Sequence, residues 1–262
     1  MTPTEAMAAA RVLASAWRRG EHIEALPASC RPMSRADGYA IQDEWPEEVG
    51  APVAGWKIAA TSEAGQRHIQ VSGPLAGPVF AHRVRGDAAQ VSLEHVGMKV
   101  AECEVVFRMS GRFAPRGRSF SRDEVMAAIA AVHPGIEIPD SRFRKFEDAG
   151  ESQLIADCAC MNEMLIGAAM PADADRMNAL PSLVVRATKG TGEVRDGIGA
   201  NALGDPVEAL VWLVNELVSH GRTLDAGQFV TTGTCLTPIP ITGGDTLSVD
   251  YGWLGRLSAR FD

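Results

Sequence analysis

The stretch Lys99-Val-Ala-Glu-Cys-Glu-Val-Val-Phe-Arg-Met109 decides how this chain is read. Its β-branched and aromatic residues suit a strand, and strand side chains alternate faces with period two. One face carries Ala101, Cys103, Val105, Phe107 and Met109, and is predicted to be core. The other carries Val100, Glu102, Glu104, Val106 and Arg108. Two glutamates therefore stand side by side, within about 7 Å along the strand. Taken alone, a solvated face explains them as well as a functional one does.

A second stretch shifts that balance. His133-Pro-Gly-Ile-Glu-Ile-Pro-Asp-Ser-Arg-Phe143 sets Glu137 between Ile136 and Ile138 in a segment held by prolines. A carboxylate in a buried strand is costly unless something positive meets it. Three oxygen donors, Glu102, Glu104 and Glu137, suit Mg²⁺ or Mn²⁺, hard cations that keep positions open for water and substrate oxygens. No His or Cys pair stands beside them, which disfavours zinc.

Other candidates carry a plain reading beside a functional one. Lys57, in Gly55-Trp-Lys-Ile-Ala59, is either a snorkelling side chain or an acid/base and carboxylate anchor tuned by burial beside a metal. His82, in Pro78-Val-Phe-Ala-His82, is either a surface histidine or a proton shuttle. Arg142 follows Glu137 closely, so it binds a substrate carboxylate or pairs with Asp140. Thr232-Gly233-Thr234 offers a hydroxyl and backbone N–H groups to a carboxylate, or simply ends a strand. Asp157 reads as a capping or supporting residue. The chain has no Gly-x-Ser-x-Gly elbow, no P-loop and no His-Glu-x-x-His.

Working outward, Thr2-Pro-Thr-Glu5 is a capping box with Pro at the first helical position. Ser34-Arg-Ala-Asp37 opens a helix toward Trp45, and Thr61-Ser-Glu63 caps a short one toward Ile69. From about residue 75 short strands take over, at 75–80, 99–109, 135–139, 160–167, 182–189, 193–197, 228–232, 246–251 and 255–261. Ser121-Arg-Asp-Glu124 and Asp205-Pro206 start two intervening helices. The second has a stripe of Val207, Leu210, Val211, Val214 and Leu217 that ends at Gly221. Gly190-Thr-Gly192 and Gly243-Gly-Asp245 read as hairpin turns. The pattern predicts an α+β protein: a helical N-terminal region over 1–72 packed on a mixed, mostly antiparallel β core over 73–262, together one unit.

At 262 residues, 46% hydrophobic and 22% charged, the composition is that of a globular protein. A net charge of −8 speaks against a nucleic-acid binder. No apolar run approaches the roughly 20 residues that span a bilayer, and the N-terminus reads as a helix rather than a signal peptide. Five cysteines, mostly in apolar runs, fit the reduced thiols of a cytoplasmic protein.

Together these segments resemble the 2-keto-4-pentenoate hydratase / 4-oxalocrotonate decarboxylase branch of the fumarylacetoacetate hydrolase superfamily. Gly55-Trp-Lys-Ile-Ala59 is similar to that family's Gly-(Tyr/Trp)-Lys-(Ile/Val)-(Gly/Ala) segment, and Glu102-Cys-Glu104 to its Glu-x-Glu strand. Pro134 to Phe143 is similar to its Pro-x-(Ile/Leu)-Glu segment that ends in Ser-Arg. Leu203-Gly-Asp-Pro206, Val211-Trp-Leu213 and Thr232-Gly233 match later landmarks, so the likeness covers most of the chain. It implies a fumarylacetoacetase-type β fold, Mg²⁺ or Mn²⁺ on Glu102, Glu104 and Glu137, Lys57 near the substrate, and a homo-oligomer. It also implies a short 2-hydroxy-2,4-dienoate or 2-oxo-enoate substrate from aromatic-compound catabolism. Two positions depart from it: His82 stands where the hydratases carry Asp, and Cys158 where they carry Asn after Ala-Asp.

The expected reaction is addition of water to a 2-hydroxy-2,4-dienoate to give a 4-hydroxy-2-oxo acid, with Lys57 and His82 moving the protons. Decarboxylation of a 4-oxalocrotonate-type acid is one alternative. Hydrolysis of a β-diketo acid, with His82 or His133 as base, is another. A catalytically silent partner subunit is the non-enzymatic alternative: it would bind metal and a 2-oxo acid without turnover.

Overall fold

Both capping boxes form. In the computed structural model, which describes residues 1–190 and 192–262, α1 (Pro3–Arg19) starts where the Thr2 hydroxyl and the Glu5 carboxylate cap each other's backbone N–H, and it stops at left-handed Gly20. Ser34 caps α2 (Arg35–Val49) and Ser62 caps α3 (Glu63–His68). The second box, at Ser121, opens α4 (Arg122–Met126). Two helices were not anticipated, α5 (Glu151–Ala156) and α6 (Ala174–Ala179); six residues give too little periodicity to read. Asp205 caps α7 (Pro206–Ser219), which buries Val207, Leu210, Val214 and Leu217.

The strands are β1 (Val53–Ala59), β2 (Leu75–Phe80), β3 (Val84–Arg85), β4 (Ala89–Val91), β5 (Val100–Met109), β6 (Ile129–Ile138), β7 (Glu163–Ile166), β8 (Met170–Pro171), β9 (Val184–Lys189), β10 (Glu193–Ile198), β11 (Phe229–Thr234), β12 (Ile239–Pro240), β13 (Thr246–Asp250) and β14 (Arg256–Phe261). The larger sheet runs β2-β1-β11-β5-β6-β7-β3, with β12 on β5 and β8 on β6; the smaller runs β10-β9-β13-β14-β4. β1–β11, β4–β14 and β3–β7 pair in parallel, and the other pairings are antiparallel, so the fold is the expected mixed α+β type.

Three details differ from the expectation. β1 falls inside the segment predicted helical, yet it is inserted between β2 and β11, so the sheet crosses the predicted division at residue 72. β6 begins at Ile129, six residues before the strand read at 135–139. Gly243-Gly244 turns the chain between β12 and β13, which belong to different sheets, so it closes no hairpin. β9 and β10 do pair as a hairpin; Thr191, in its turn, lies outside the described residues.

The alternation of β5 sorts the interior into two cores. Ala101, Cys103, Val105 and Phe107 face Val185, Val249 and Leu257 of the smaller sheet and Leu210 and Leu213 of α7. Val106, with Phe80, Met164 and Phe229, instead packs under Ala9 and Leu13 of α1 and Trp45 of α2. The face that carries Glu102 and Glu104 is therefore the one the N-terminal helices cover. Trp45 pins that cover: it is fully buried, lies 6.1 Å from Phe80 and 5.7 Å from Trp17 between ring centroids, and donates Nε1–H to Ala156 O at 2.9 Å. Urea unfolding of Trp45→Ala should show a loss of about 3–5 kcal/mol, whereas a loss below about 1 kcal/mol would mean that the two helices are not a packed layer.

Candidate active site

Four adjacent strands of the larger sheet, β1, β11, β5 and β6, build the site, and strand parity aims it. Ile136 and Ile138 lie in the core between the sheets, so Glu137 must point to the helix-covered face. The same holds for Lys57 between Trp56 and Ile58. Register supplies the rest. Glu102 stands opposite Glu137, Lys57 beside Thr231, and Thr231 opposite Val106. As a result Glu102, Glu104 and Glu137 each offer an oxygen within 4.8 Å of the others. Glu104 and Glu137 are buried and Glu102 is half-buried, so the cluster opens on the Glu102 side.

Few groups answer these charges. Glu104 Oε2 accepts from Gly233 N–H at 2.8 Å and from the Thr231 hydroxyl. Lys57 Nζ lies 3.0 Å from Glu137 Oε1 and donates to Ala159 O at 2.8 Å. Among the described residues, Glu104 Oε1 and both oxygens of Glu137 have no hydrogen-bond partner; the Lys57 contact is an ion pair without hydrogen-bond geometry. Burial raises all three carboxyl pKa values. Glu102 is pushed up to about 7 by burial and then by the Glu137 charge. Glu104 rises well above the ordinary 4.5 for the same two reasons. Glu137 rises because burial outweighs the pull of Lys57. For Lys57 the balance reverses: burial opposes its charge, but Glu137 and Glu102 more than offset this and hold its pKa above the ordinary lysine value. One cation thus faces three carboxylates. Converging oxygen donors with unpartnered buried oxygens fit a hard divalent cation.

An unusual turn presents the Ala159 carbonyl. Cys158, Ala159 and Cys160 have φ of 53°, 52° and 62°, a left-handed run that costs about 1–2 kcal/mol per residue outside glycine. Asn enters this region more readily than most residues, a physical reason for the Asn expected at position 158. Gly77 lies against the turn, where a Cβ would sit 2.0 Å from Cys158 O. Burial raises the Cys158 and Cys160 thiol pKa values, which keeps them protonated and unreactive.

The remaining predicted residues are placed elsewhere. His82 follows the end of β2, and its ring packs on Trp17 at 5.8 Å and Phe80 at 6.3 Å. Gly77 is level with Lys57 and Phe80 with Val53, which already puts Phe80 roughly 10 Å along the strand from the cluster. His82 is thus exposed and directed at α1. His133 shares the Glu137 face but lies roughly 13 Å along β6, with Nδ1 at 2.9 Å from Gly167 O. Arg142 is consumed by structure: its guanidinium pairs with Asp157, donates to Asp157 O and to Met161 O at 2.6 Å, and is 2% exposed. Its partner is Asp157 rather than Asp140. Thr232 has the opposite parity to Thr231 and donates to Val105 O at 3.0 Å, away from the cluster. Gly233 is present, but its N–H orients Glu104. Two participants escaped the sequence reading. Thr231 was legible from parity alone, whereas Ala159 acts through its backbone and leaves no side-chain signal.

Comparisons with known proteins give the chain a family. Residues 56–262 match the family described as fumarylacetoacetate (FAA) hydrolase C-terminal. The chain is 31% identical over 262 residues to 2-keto-4-pentenoate hydratase 1 of Dechloromonas aromatica, covering 97% of this chain and 96% of that one. It is 27% identical to 2-oxo-hept-4-ene-1,7-dioate hydratase of Escherichia coli, covering 96% of both. Among solved structures, 4-oxalocrotonate decarboxylase from Pseudomonas putida G7, complexed with magnesium and adipate, superposes with a TM-score of 0.88 at 28% identity, covering 100% of this chain and 99% of that one. The chain belongs to the fumarylacetoacetate hydrolase C-terminal family.

Proposed function

We propose that this protein is a metal-assisted hydratase that adds water to a short 2-hydroxy-2,4-dienoate and releases a 4-hydroxy-2-oxo acid. The observation that carries the reading is the cluster itself: three converging carboxylates, two of them with unpartnered buried oxygens, beside a buried, charged lysine. The hydratases among its relatives support the reaction class. Glu102, Glu104 and Glu137 would hold Mg²⁺ or Mn²⁺; magnesium is the ion in the related decarboxylase structure. When bound, such a cation supplies a Lewis acid and a template for the substrate's C1 carboxylate and C2 oxygen.

The chain's own residues supply positioning and protons. Lys57 is held on two sides, by Glu137 and Ala159 O, and it is charged. It would give a proton to C5 as the C2 enol becomes a ketone, and take the enol proton in exchange. Water then adds at C4 and a proton at C3, for a net gain of one H₂O. Thr231 and Gly233 keep Glu104 aimed at the centre. His82 has no part in these steps.

A decarboxylase of 4-oxalocrotonate-type acids is the second reading, favoured by the structural likeness. It would release CO₂ from 2-oxohex-3-enedioate, whereas a hydratase bleaches 2-hydroxypenta-2,4-dienoate without gas. Bleaching should require a divalent cation, and Glu104→Gln should lose more than the roughly 10–100-fold that substitutions outside the direct ligands cost. No bleaching by the wild type would overturn the hydratase reading. Lys57→Met should lower kcat by about 10²–10⁴-fold, the usual contribution of a positioned acid/base; an unchanged kcat would remove Lys57 from the chemistry.

The raised carboxyl pKa values set the pH response. A folded state that binds a proton more tightly than the unfolded one gains stability below the unfolded pKa, near 4.5, and loses it as pH rises through the folded value, about 7 for Glu102. Metal-free protein should therefore melt at progressively lower temperature between about pH 5 and pH 8. Mg²⁺ should raise the melting temperature more at the upper end, because protons compete for the same oxygens. A Mg²⁺ effect independent of pH would contradict the carboxylate site.

A further inference from the structure

A cavity of about 190 Å³ is lined by residues that precede Glu102 and follow Glu137 in the chain, among them Met98 and Ser141. β5 and β6 stay joined past the Glu102–Glu137 pair because Asp140 Oδ1 accepts from Gly97 N–H at 2.8 Å and Met98 N–H at 3.0 Å. His22, Gly97, Met98, Ser141, Phe143 and Phe146 line the space between these extensions. Two contacts link it to the cluster. The Cys160 thiol bonds the Ser141 hydroxyl and follows directly on Ala159, whose carbonyl holds Lys57 Nζ at 2.8 Å, and Glu102, the half-buried carboxylate, is the one on the β5 side of the opening.

We infer that this cavity receives an apolar tail of the substrate, so that the preferred substrate is a 2-hydroxy-dienoate with an alkyl or aryl group beyond the diene; this rests on the reading above. Length is the first argument. Met98 lies four residues from Glu102, beyond the start of β5 at Val100 and past left-handed Lys99, at most about 13 Å along the chain, so an acid anchored by its carboxylate reaches further toward it as its tail lengthens. Size is the second. At about 30 Å³ per water-sized group, the cavity holds roughly six non-hydrogen atoms, the bulk of a phenyl ring. Chemistry is the third. Met98, Phe143 and Phe146 give apolar walls, and Met adapts to varied shapes. The polar groups there already have partners: Ser141 donates to Asp157 at 2.7 Å, the Gly97 and Met98 N–H groups serve Asp140, His22 Nε2 lies 3.8 Å from Asp140 Oδ2, and Arg144, also in the lining, donates to Glu24 at 2.8 Å and to His22 O at 3.1 Å. A tail carboxylate would have to displace these bonds, whereas an apolar tail gains burial without doing so.

Calorimetric titration of the Mg²⁺-loaded protein with 2-oxo acids tests the tail apart from turnover. Pyruvate, 2-oxooctanoate, 4-phenyl-2-oxobutanoate and 2-oxopimelate form the series. The two apolar acids should bind at least about 10-fold more tightly than pyruvate, since burying a few methylene groups supplies that much, and 2-oxopimelate should gain less. Met98→Trp, which fills the cavity, should pull the apolar-to-pyruvate ratio toward one. Phe146→Ala, which removes a wall, should lower the ratio by a second route if the tryptophan is not accommodated. A wild-type ratio near one, or a ratio that both variants leave intact, overturns the tail pocket. A preference for 2-oxopimelate that Arg144→Ala abolishes overturns the apolar assignment in favour of a dicarboxylate. Failure of pyruvate itself to bind with Mg²⁺ overturns the underlying metal and 2-oxo acid reading, and the pocket with it.

Discussion

Three carboxylates and one ammonium share the helix-covered face of the larger sheet, and much of the local structure answers that arrangement. Like charges this close in a poorly solvated place repel strongly. Lys57 offsets part of the cost through Glu137. Thr231 and Gly233 offset part through Glu104. The left-handed turn at 158–160 then fixes Lys57 from the other side. Backbone strain of this kind persists only where the surroundings over-determine it. Here the turn is hemmed in by Gly77 on one side and tied by the Asp140 N–H bond to Cys160 O on the other. Charge remains unanswered even so, on Glu104 Oε1 and Glu137, where a cation fits.

Parity explains both what could be read from the chain and what could not. Glu102 and Glu104 were legible as one face of a strand, and Glu137 as a charge between two isoleucines, because a period of two leaves little freedom once the other face is core. The same rule would have chosen Thr231 over Thr232, had the strand been phased from Phe229 and Val230. The N-terminal helices were legible from their caps, which are local chemistry. β1 was not, since Gly50 and Pro52 mark a break but the apolar run after them is too short to tell strand from helix, and it becomes a strand through pairing with β2 and β11. His82 was singled out because imidazole suits proton transfer, yet residue type carries no direction. Packing on Trp17 and Phe80 decides where the ring goes, and α1 lies some sixty residues away in sequence.

Two buried cations show how satisfaction separates structure from function. Arg142 and Lys57 are each 2% exposed, and each meets a buried carboxylate. Around Arg142 the guanidinium bonds Asp157 and Met161 O, while Asp157 Oδ2 takes the Ser141 hydroxyl and the Arg142 N–H at 2.7 and 3.0 Å. A buried pair with its hydrogen bonds filled has no capacity for a ligand, and removing one partner would strand the other. Around Lys57 the carboxylates keep oxygens without partners. Unsatisfied buried groups are rare and call for an explanation; a cluster of them on the half-open side of a rigid sheet is explained by something that binds there. Sequence singled out both as site residues, Lys57 to move protons and Arg142 to bind a substrate carboxylate. The difference between them lies in the partners that folding brings to each: Arg142 ties the end of β6 to the segment at 157–161 beneath Trp17 and Trp45, whereas Lys57 faces carboxylates that keep unpartnered oxygens.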